Sequence, residues 1–269
     1  MIARVLTIAG SDSGGGAGIE ADLKTITMLG GYGCTCITGL TAQNTLGVQR
    51  VYPVPGAFVA LCMRTVLSDI GVDAIKLGML TNDEIISAVA ANLPAQIPVV
   101  LDPVMVSTSG AALLPDTAIN VLVTELLPKA TLITPNLPEA AKLTGLPVDT
   151  RAQRLAAGQR LLAMGAKASL IKGGHGHDAD LTDLLVTPEG VAAITLPRLE
   201  SRNTHGTGCT LSAAIATGLA QSMGLEDSVR RARAYLQEAI ATAPGLGAGH
   251  GPVNHLVRLN GEPTSLPAR

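Results

Sequence analysis

A single α/β domain is the fold class this sequence predicts. Three observations predict it. Strand-like and helix-like segments alternate through all 269 residues with no linker-like break in composition. Apolar runs such as Val5-Leu6-Thr7-Ile8-Ala9 read as buried strands and end in turns of glycine, proline or polar residues. Thr187-Pro188-Glu189-Gly190 joins two strand-like runs, 181–186 and 190–196, with Pro and Gly where a type I turn wants them, which marks an antiparallel hairpin at one sheet edge. A chain of this length buries a substantial core as one domain.

In chain order, residues 4–10 form a strand ending in Gly10-Ser11-Asp12-Ser13-Gly14-Gly15-Gly16-Ala17-Gly18, and a helix then runs to about Leu29 with Glu20, Asp22 and Lys24 on its outer face. Residues 33–42 make the second strand, ending near Gln43. The stretch 55–70 is helical, and Phe58, Leu61, Cys62 and Val66 recur at the spacing of a face turned to the core. Strand 74–77 leads to Gly78-Met79, helix 82–92 to strand 98–101 and Asp102-Pro103, and helix 116–127 to strand 132–134. There Asn136 and Glu139 have the spacing of a capping box, with Pro138 in the first turn. Helix 151–164, strand 168–171, the hairpin, the stretch beginning at His205 and a helix over 225–242 complete the series.

Composition excludes several function classes. Net charge is −2, charged residues are 15%, and no block of like charges offers a nucleic-acid or membrane surface. Aromatic residues are 1%, so stacking platforms for single strands are missing, and no apolar run spans a bilayer. No signal-peptide pattern precedes the first strand. The four cysteines, at 34, 36, 62 and 209, lack the CxxC spacing of zinc or redox motifs, and reduced thiols in a cytoplasmic protein are the simplest account.

Chemistry concentrates in His205-Gly206-Thr207-Gly208-Cys209-Thr210, a glycine turn feeding a helix of small residues. The first amides of a helix lack carbonyl partners and carry partial positive charge, so this terminus suits a phosphate, and a thiolate at Cys209 would be favoured there. The same residues also describe a buried helix that Gly-Thr-Gly merely starts. The loop 10–18 fits neither GxGxxG, because Ile19 stands at the third glycine, nor the Walker pattern, because no Lys follows its glycines. Asp102 lies past a strand's carboxyl end, where α/β sheets bind ligands, as a metal ligand or a brace for the turn. Glu139 is either the capping carboxylate or a group near a phosphate-bound Mg²⁺. Lys172-Gly173-Gly174 offers phosphate a cation; Gln43 is either an amide that can pair with an aminopyrimidine edge or a solvated, loop-bracing one, and Met79 either a floor for a ring or core filling. His175-Gly176-His177-Asp178 has metal-like composition in a polar loop, where such side chains are usually solvated.

Taken together, TIAGSDSGGGAGIEADLKT, ITGLTAQNTLGV, KLGML, LDPVM, LITPNLPEA, IKGGH, NTHGTGCTLSAAIA and GHGPVNH, in this order from residue 7 to 255, resemble the hydroxymethylpyrimidine/phosphomethylpyrimidine kinase family of the ribokinase-like superfamily. The resemblance implies a three-layer α/β/α sandwich with a mainly parallel sheet, and ATP-dependent phosphorylation first of a hydroxymethylpyrimidine and then of its monophosphate. It implies Cys209 as base, where sugar kinases of the superfamily carry Asp, with the amides of Gly206, Thr207 and Gly208 on the transferring phosphate. Lys172 adds positive charge there, Asp102 and Glu139 organise Mg²⁺, and Gly10, Gln43, Met79 and Val106 grip the pyrimidine. A homodimer is expected. The loop Val106-Ser107-Thr108 departs from members that carry a Lys there. A pyridoxal or pyridoxine kinase of the same fold is the nearest alternative, and a non-catalytic ligand-binding module a more distant one.

Overall fold

The computed structural model describes residues 1–107, 109–175 and 180–259. Its strands are β1 (Arg4–Asp12), β2 (Tyr32–Asn44), β3 (Gly47–Pro53), β4 (Ala74–Leu77), β5 (Val99–Leu101), β6 (Leu132–Ile133), β7 (Ser169–Ile171), β8 (Asp180–Thr187) and β9 (Gly190–Pro197). They form one sheet in the order β3-β2-β1-β4-β5-β6-β7-β8-β9. The pairs from β2 across to β7 are parallel. The expected hairpin β8–β9 closes one edge antiparallel. Neither Pro188 nor Glu189 has a positive φ, in keeping with an unprimed turn.

The helices are α1 (Gly18–Met28), α2 (Gly56–Asp69), α3 (Asp83–Asn92), α4 (Asp116–Val121), α5 (Leu137–Thr144), α6 (Arg151–Ala163), α7 (Thr207–Ala220) and α8 (Leu225–Ala241). Strand side chains alternate between two cores, as the two-residue period requires. Val99, Leu101, Ile133 and Ile171 pack with α2 to α6 on one face. Val100, Leu132 and Leu170 pack with α1, α7 and α8 on the other. The result is the three-layer sandwich. β1 lies between β2 and β4, and the connections on its two sides run over opposite faces, so a crevice opens beyond the carboxyl ends of β1 and β4.

Four local expectations are corrected. A second antiparallel hairpin, β2–β3, covers the other edge, turned by Asn44, whose Oδ1 accepts from the amides of Leu46 (2.9 Å) and Gly47 (3.3 Å). β3 is largely open to solvent, so no apolar alternation announced it. On α2 the buried face is Val59, Ala60 and Met63, while Phe58 and Leu61 are exposed. This helix is apolar nearly all round, and spacing alone does not choose the inward stripe. Helix 116–127 is α-helical only to Val121 and continues as a π turn (Leu122–Leu126) and a 3-10 turn (Leu127–Lys129), where Pro128 has no amide to bond back with. Finally Asp22 is fully buried, not on the outer face of α1.

Candidate active site

A cavity of about 760 Å³ opens at the carboxyl ends of the parallel strands. One wall is Gly10 from β1, Gln43 from β2, Met79 after β4 and Val106 after β5; the other holds Asp102, Glu139, Lys172 and the first residues of α7, Gly206 to Cys209. Every site residue singled out in the sequence therefore lines one space.

The α7 terminus is built by glycines meeting main chain to main chain. Gly206 is left-handed (φ +80°), and a β-carbon there would collide with the Gly16 carbonyl oxygen. Its own carbonyl accepts from Thr210 at 2.9 Å, and the Thr207 amide makes only a long contact with the Thr204 carbonyl, 3.3 Å. The amides of Gly208 and Cys209 meet no main-chain acceptor among the described residues, which leaves two donors at a helix start. Loop 10–18 is folded around Asp12, whose carboxylate accepts from Gly14 (2.8 Å), Gly16 (3.0 Å) and Ala17 (2.9 Å) and pairs with His205 at 2.8 Å. Burial opposes the charge on Asp12, but His205 and the loop amides prevail and hold its carboxyl below the ordinary range. Gln43 touches this network: its Oε1 accepts from Thr41 (3.2 Å) and its Nε2 lies 3.2 Å from His205 Nε2.

On the phosphate side, Lys172 Nζ donates to Asp102 Oδ1 at 3.0 Å, and Thr134 donates to the same oxygen at 3.2 Å. Burial works against the Lys172 ammonium, yet Asp102 and Glu139 raise its pKa. Glu139 completes the capping box with Asn136, so the structural account of that motif holds; it is also buried in the cavity wall. Burial, against the pull of Lys172 and with the push of Asp102, raises its carboxyl to about 7. Two carboxylates thus share one ammonium, a hard-oxygen set with charge to spare for a divalent cation that keeps water and phosphate as its other ligands. Among the described residues no three His, Cys, Asp or Glu side chains gather as a metal cluster. Residues 176–178 of the His175-Gly176-His177-Asp178 stretch lie outside the described residues.

Cys209 Sγ, partly open to the cavity, accepts from the Gly18 amide at 3.4 Å. Its surroundings push the thiol up to about 11: burial raises it, Lys76 lowers it, and Asp22 and Asp102 raise it further. The expectation of a favoured thiolate is corrected, because enclosure outweighs the helix terminus and the resting group is a thiol.

Sequence reasoning missed three pieces. Asp12 and His205 stood in quoted motifs without a role. Asp183 accepts from the Gly173 amide at 2.7 Å and pairs with Arg233 of α8 at 3.0 Å, supporting the turn after Lys172; its signal was an acid inside the apolar run 181–186. Lys76 lies fully buried against Asp22, and a lysine in the middle of a buried strand was its signal.

Comparison with known proteins identifies the family. The phosphomethylpyrimidine kinase family model matches residues 12–254. The hydroxymethylpyrimidine/phosphomethylpyrimidine kinase of Salmonella typhimurium is 50% identical over 255 residues, 93% of this chain and 96% of that protein. The bifunctional thiamine biosynthesis protein ThiED of Geobacter sulfurreducens is also 50% identical, and the chain spans only 52% of its length. Among solved structures, pyridoxal kinase of Staphylococcus aureus in complex with ADP overlays with a TM-score of 0.88 at 35% identity, covering 95% of this chain and 94% of that one. Phosphomethylpyrimidine kinase of Clostridium difficile overlays at 0.79 with 39% identity, covering 88% and 99%. With the family model and these relatives covering nearly its whole length, the chain belongs to the phosphomethylpyrimidine kinase family.

Proposed function

We propose that the protein transfers the γ-phosphoryl group of ATP to the hydroxymethyl oxygen of 4-amino-5-hydroxymethyl-2-methylpyrimidine, and then phosphorylates the monophosphate to the diphosphate. The observation that carries this is the meeting, in one cavity, of unpaired amides at Gly208 and Cys209, the Lys172–Asp102 pair, and a wall of Gln43 and Met79. Phosphoryl transfer asks mainly for alignment and charge neutralisation. The amides from Gly206 to Cys209 point preorganised donors at the transferring phosphate, each worth about 3–4 kcal/mol if comparable to an oxyanion-hole donor. Lys172 adds positive charge beside them. Asp102 and Glu139 would hold Mg²⁺, which when bound neutralises phosphate charge. Gly10, Gln43, Met79 and Val106 seat the pyrimidine.

Cys209 is the base for the hydroxymethyl proton. The second acceptor is already a phosphate and needs little or no base. Cys209→Ala is therefore expected to slow the first phosphorylation at least tenfold more than the second in single-turnover assays; equal losses would remove the base assignment. A second reading, phosphorylation of pyridoxal, draws on the strong overlay with pyridoxal kinases, and competition of the two alcohols for limiting ATP separates them. A cytoplasmic homodimer belongs to the same proposal, with sedimentation at micromolar concentration as its check. Among the described residues no helix is long and apolar enough to cross a membrane.

A further inference from the structure

Beneath the turn after Lys172 lies a buried ion pair that fold stability alone does not explain. Asp183 of β8 is 1% exposed and Arg233 of α8 is 4% exposed. Arg233 Nε stands 3.0 Å from Asp183 Oδ2 without the alignment of a hydrogen bond, and Nη2 meets no acceptor among the described residues. Apolar side chains filling the same space would cost less, and a guanidinium kept for stability would be fully bonded. Both residues also line the cavity.

From this pair, short contacts lead to the phosphate side. Asp183 Oδ1 accepts from the Gly173 amide at 2.7 Å. The turn sits directly on β8, because a β-carbon at Gly173 would lie 2.1 Å from the Thr182 carbonyl oxygen. Lys172, the residue before it, donates its amide to the Pro135 carbonyl at 2.9 Å. Its Nζ stands 3.0 Å from Asp102 Oδ1, and a β-carbon on Gly208 would lie 3.5 Å from that nitrogen. The ammonium therefore abuts the start of α7, where the Gly208 and Cys209 amides meet no main-chain acceptor among the described residues. Arg198 Nη1 also donates to the Gly174 carbonyl, at 3.0 Å, but that contact is exposed. Asp183 is the buried anchor of the turn, and Arg233 holds the anchor.

We infer that Arg233 is a positioning residue for both phosphorylations: through Asp183 and the Gly173 amide it fixes where the Lys172 ammonium meets the phosphates of ATP. The inference rests on Lys172 serving as the cation for those phosphates. Alignment is what the reaction asks of the protein, and a misplacement of one ångström costs about a hundredfold in rate. Asp183 does not hold the turn alone. Left as an unpaired buried carboxylate it would take up a proton or draw in water, and either loosens its hold on the Gly173 amide. With Arg233 beside it the carboxylate stays charged and makes the stronger, charge-assisted bond. Gln43 and Met79 stand on β2 and after β4, away from this support. The base role of Cys209 concerns the first step only. Loss of Arg233 thus has its own signature, equal in the two steps and read on ATP rather than on the pyrimidine.

The test replaces both partners, Arg233→Met with Asp183→Asn, which leaves the buried site neutral and keeps an oxygen for the Gly173 amide. In the double variant KM for ATP is expected to rise, and kcat to fall, about tenfold in both phosphorylations, the loss for a fraction of an ångström of misplacement. The Kd of the pyrimidine, measured by calorimetry, should not change. Arg233→Lys alone, which keeps the cation, is expected to recover most of the loss. A folded double variant with unchanged ATP kinetics overturns the inference, and so does a loss that falls equally on pyrimidine binding. Should the double variant not fold, the Arg233 Nε–H resonance of the unmodified protein gives the answer. It should shift when a non-hydrolysable ATP analogue with Mg²⁺ is added and not with the pyrimidine alone, and a resonance indifferent to the nucleotide overturns the inference equally. Lys172→Met tells the two readings apart. If it leaves ATP kinetics intact, the cation role of Lys172 falls and the inference with it; if it raises KM for ATP while the Arg233 variant does not, the inference falls alone.

Discussion

Gln43 shows how one side chain is prepared for a ligand. Its carbonyl oxygen is engaged by Thr41 and its NH₂ lies beside His205, so the amide is held with its plane fixed at the cavity wall. His205 is in turn held by Asp12, which also ties the glycine loop. A truncation at 43 removes the proposed pyrimidine contact and leaves Lys172, Asp102 and Glu139 in place. Gln43→Ala is expected to weaken pyrimidine affinity about tenfold to a hundredfold, the value of one or two hydrogen bonds in a closed site, with ATP affinity unchanged. Calorimetric titration with each ligand separately checks it. The residues of this wall were legible because Gln43 stands in the last residues of β2 and Met79 just beyond β4. Asp22 was not, since alone it looks like an ordinary surface charge, and only the fold shows that α1 lays it over Lys76, whose place in a buried strand was the one signal of the pair.

Among the elements, α7 carries the most constraint. Its residues from Thr210 to Gly218 are buried, and their small size lets it lie close to α1 and α8. At Gly218 a β-carbon would stand 2.6 Å from Ser228 Oγ and 2.8 Å from Ser228 Cβ, so the two helices approach more closely than any side chain there allows. Gly218→Val is expected to destabilise the protein by about 1–3 kcal/mol through overpacking, read as a lowered urea midpoint with an unchanged slope. The run of small residues in α7 foretold a buried helix fed by a glycine turn, and the turn is there with Gly206 as the cap. For α2 the same kind of reading failed. Its pattern Phe58, Leu61, Cys62, Val66 is as periodic as the true stripe through Val59 and Met63, and the choice between them is made by what β2 presents to it. β3 escaped for the opposite reason, because an edge strand with both faces largely wet carries no apolar signal.

Taken whole, the molecule places its cavity where strands that run one way all end, and two cores, the larger on the α2 to α6 side, hold that rim from either face. The last described segment belongs to the second core. His255 is buried there, its Nε2 3.1 Å from Thr210 Oγ1, and its backbone carbonyl accepts from the Tyr235 hydroxyl at 2.8 Å. Burial, with Lys24 and His205 nearby, lowers its pKa to about 4. A histidine depressed on folding contributes stability that is complete above its unfolded value near 6.5 and is lost as pH falls through 4. The difference corresponds to roughly 3 kcal/mol. His255→Gln is expected to flatten the fall of Tm between pH 6.5 and 4, measured by calorimetry against the parent protein.

The Gly206 turn has its two supports far apart along the chain. Gly16 presses on it from near the start, while the Gly251 carbonyl accepts from the His205 amide at 3.1 Å, and His205 and Pro252 pair as a short bridge. A ribosome delivers every strand of the sheet by residue 197. A chain carrying every strand still lacks the Gly251 and Pro252 support of that turn, so the sheet can be complete while its phosphate-binding corner is not yet braced.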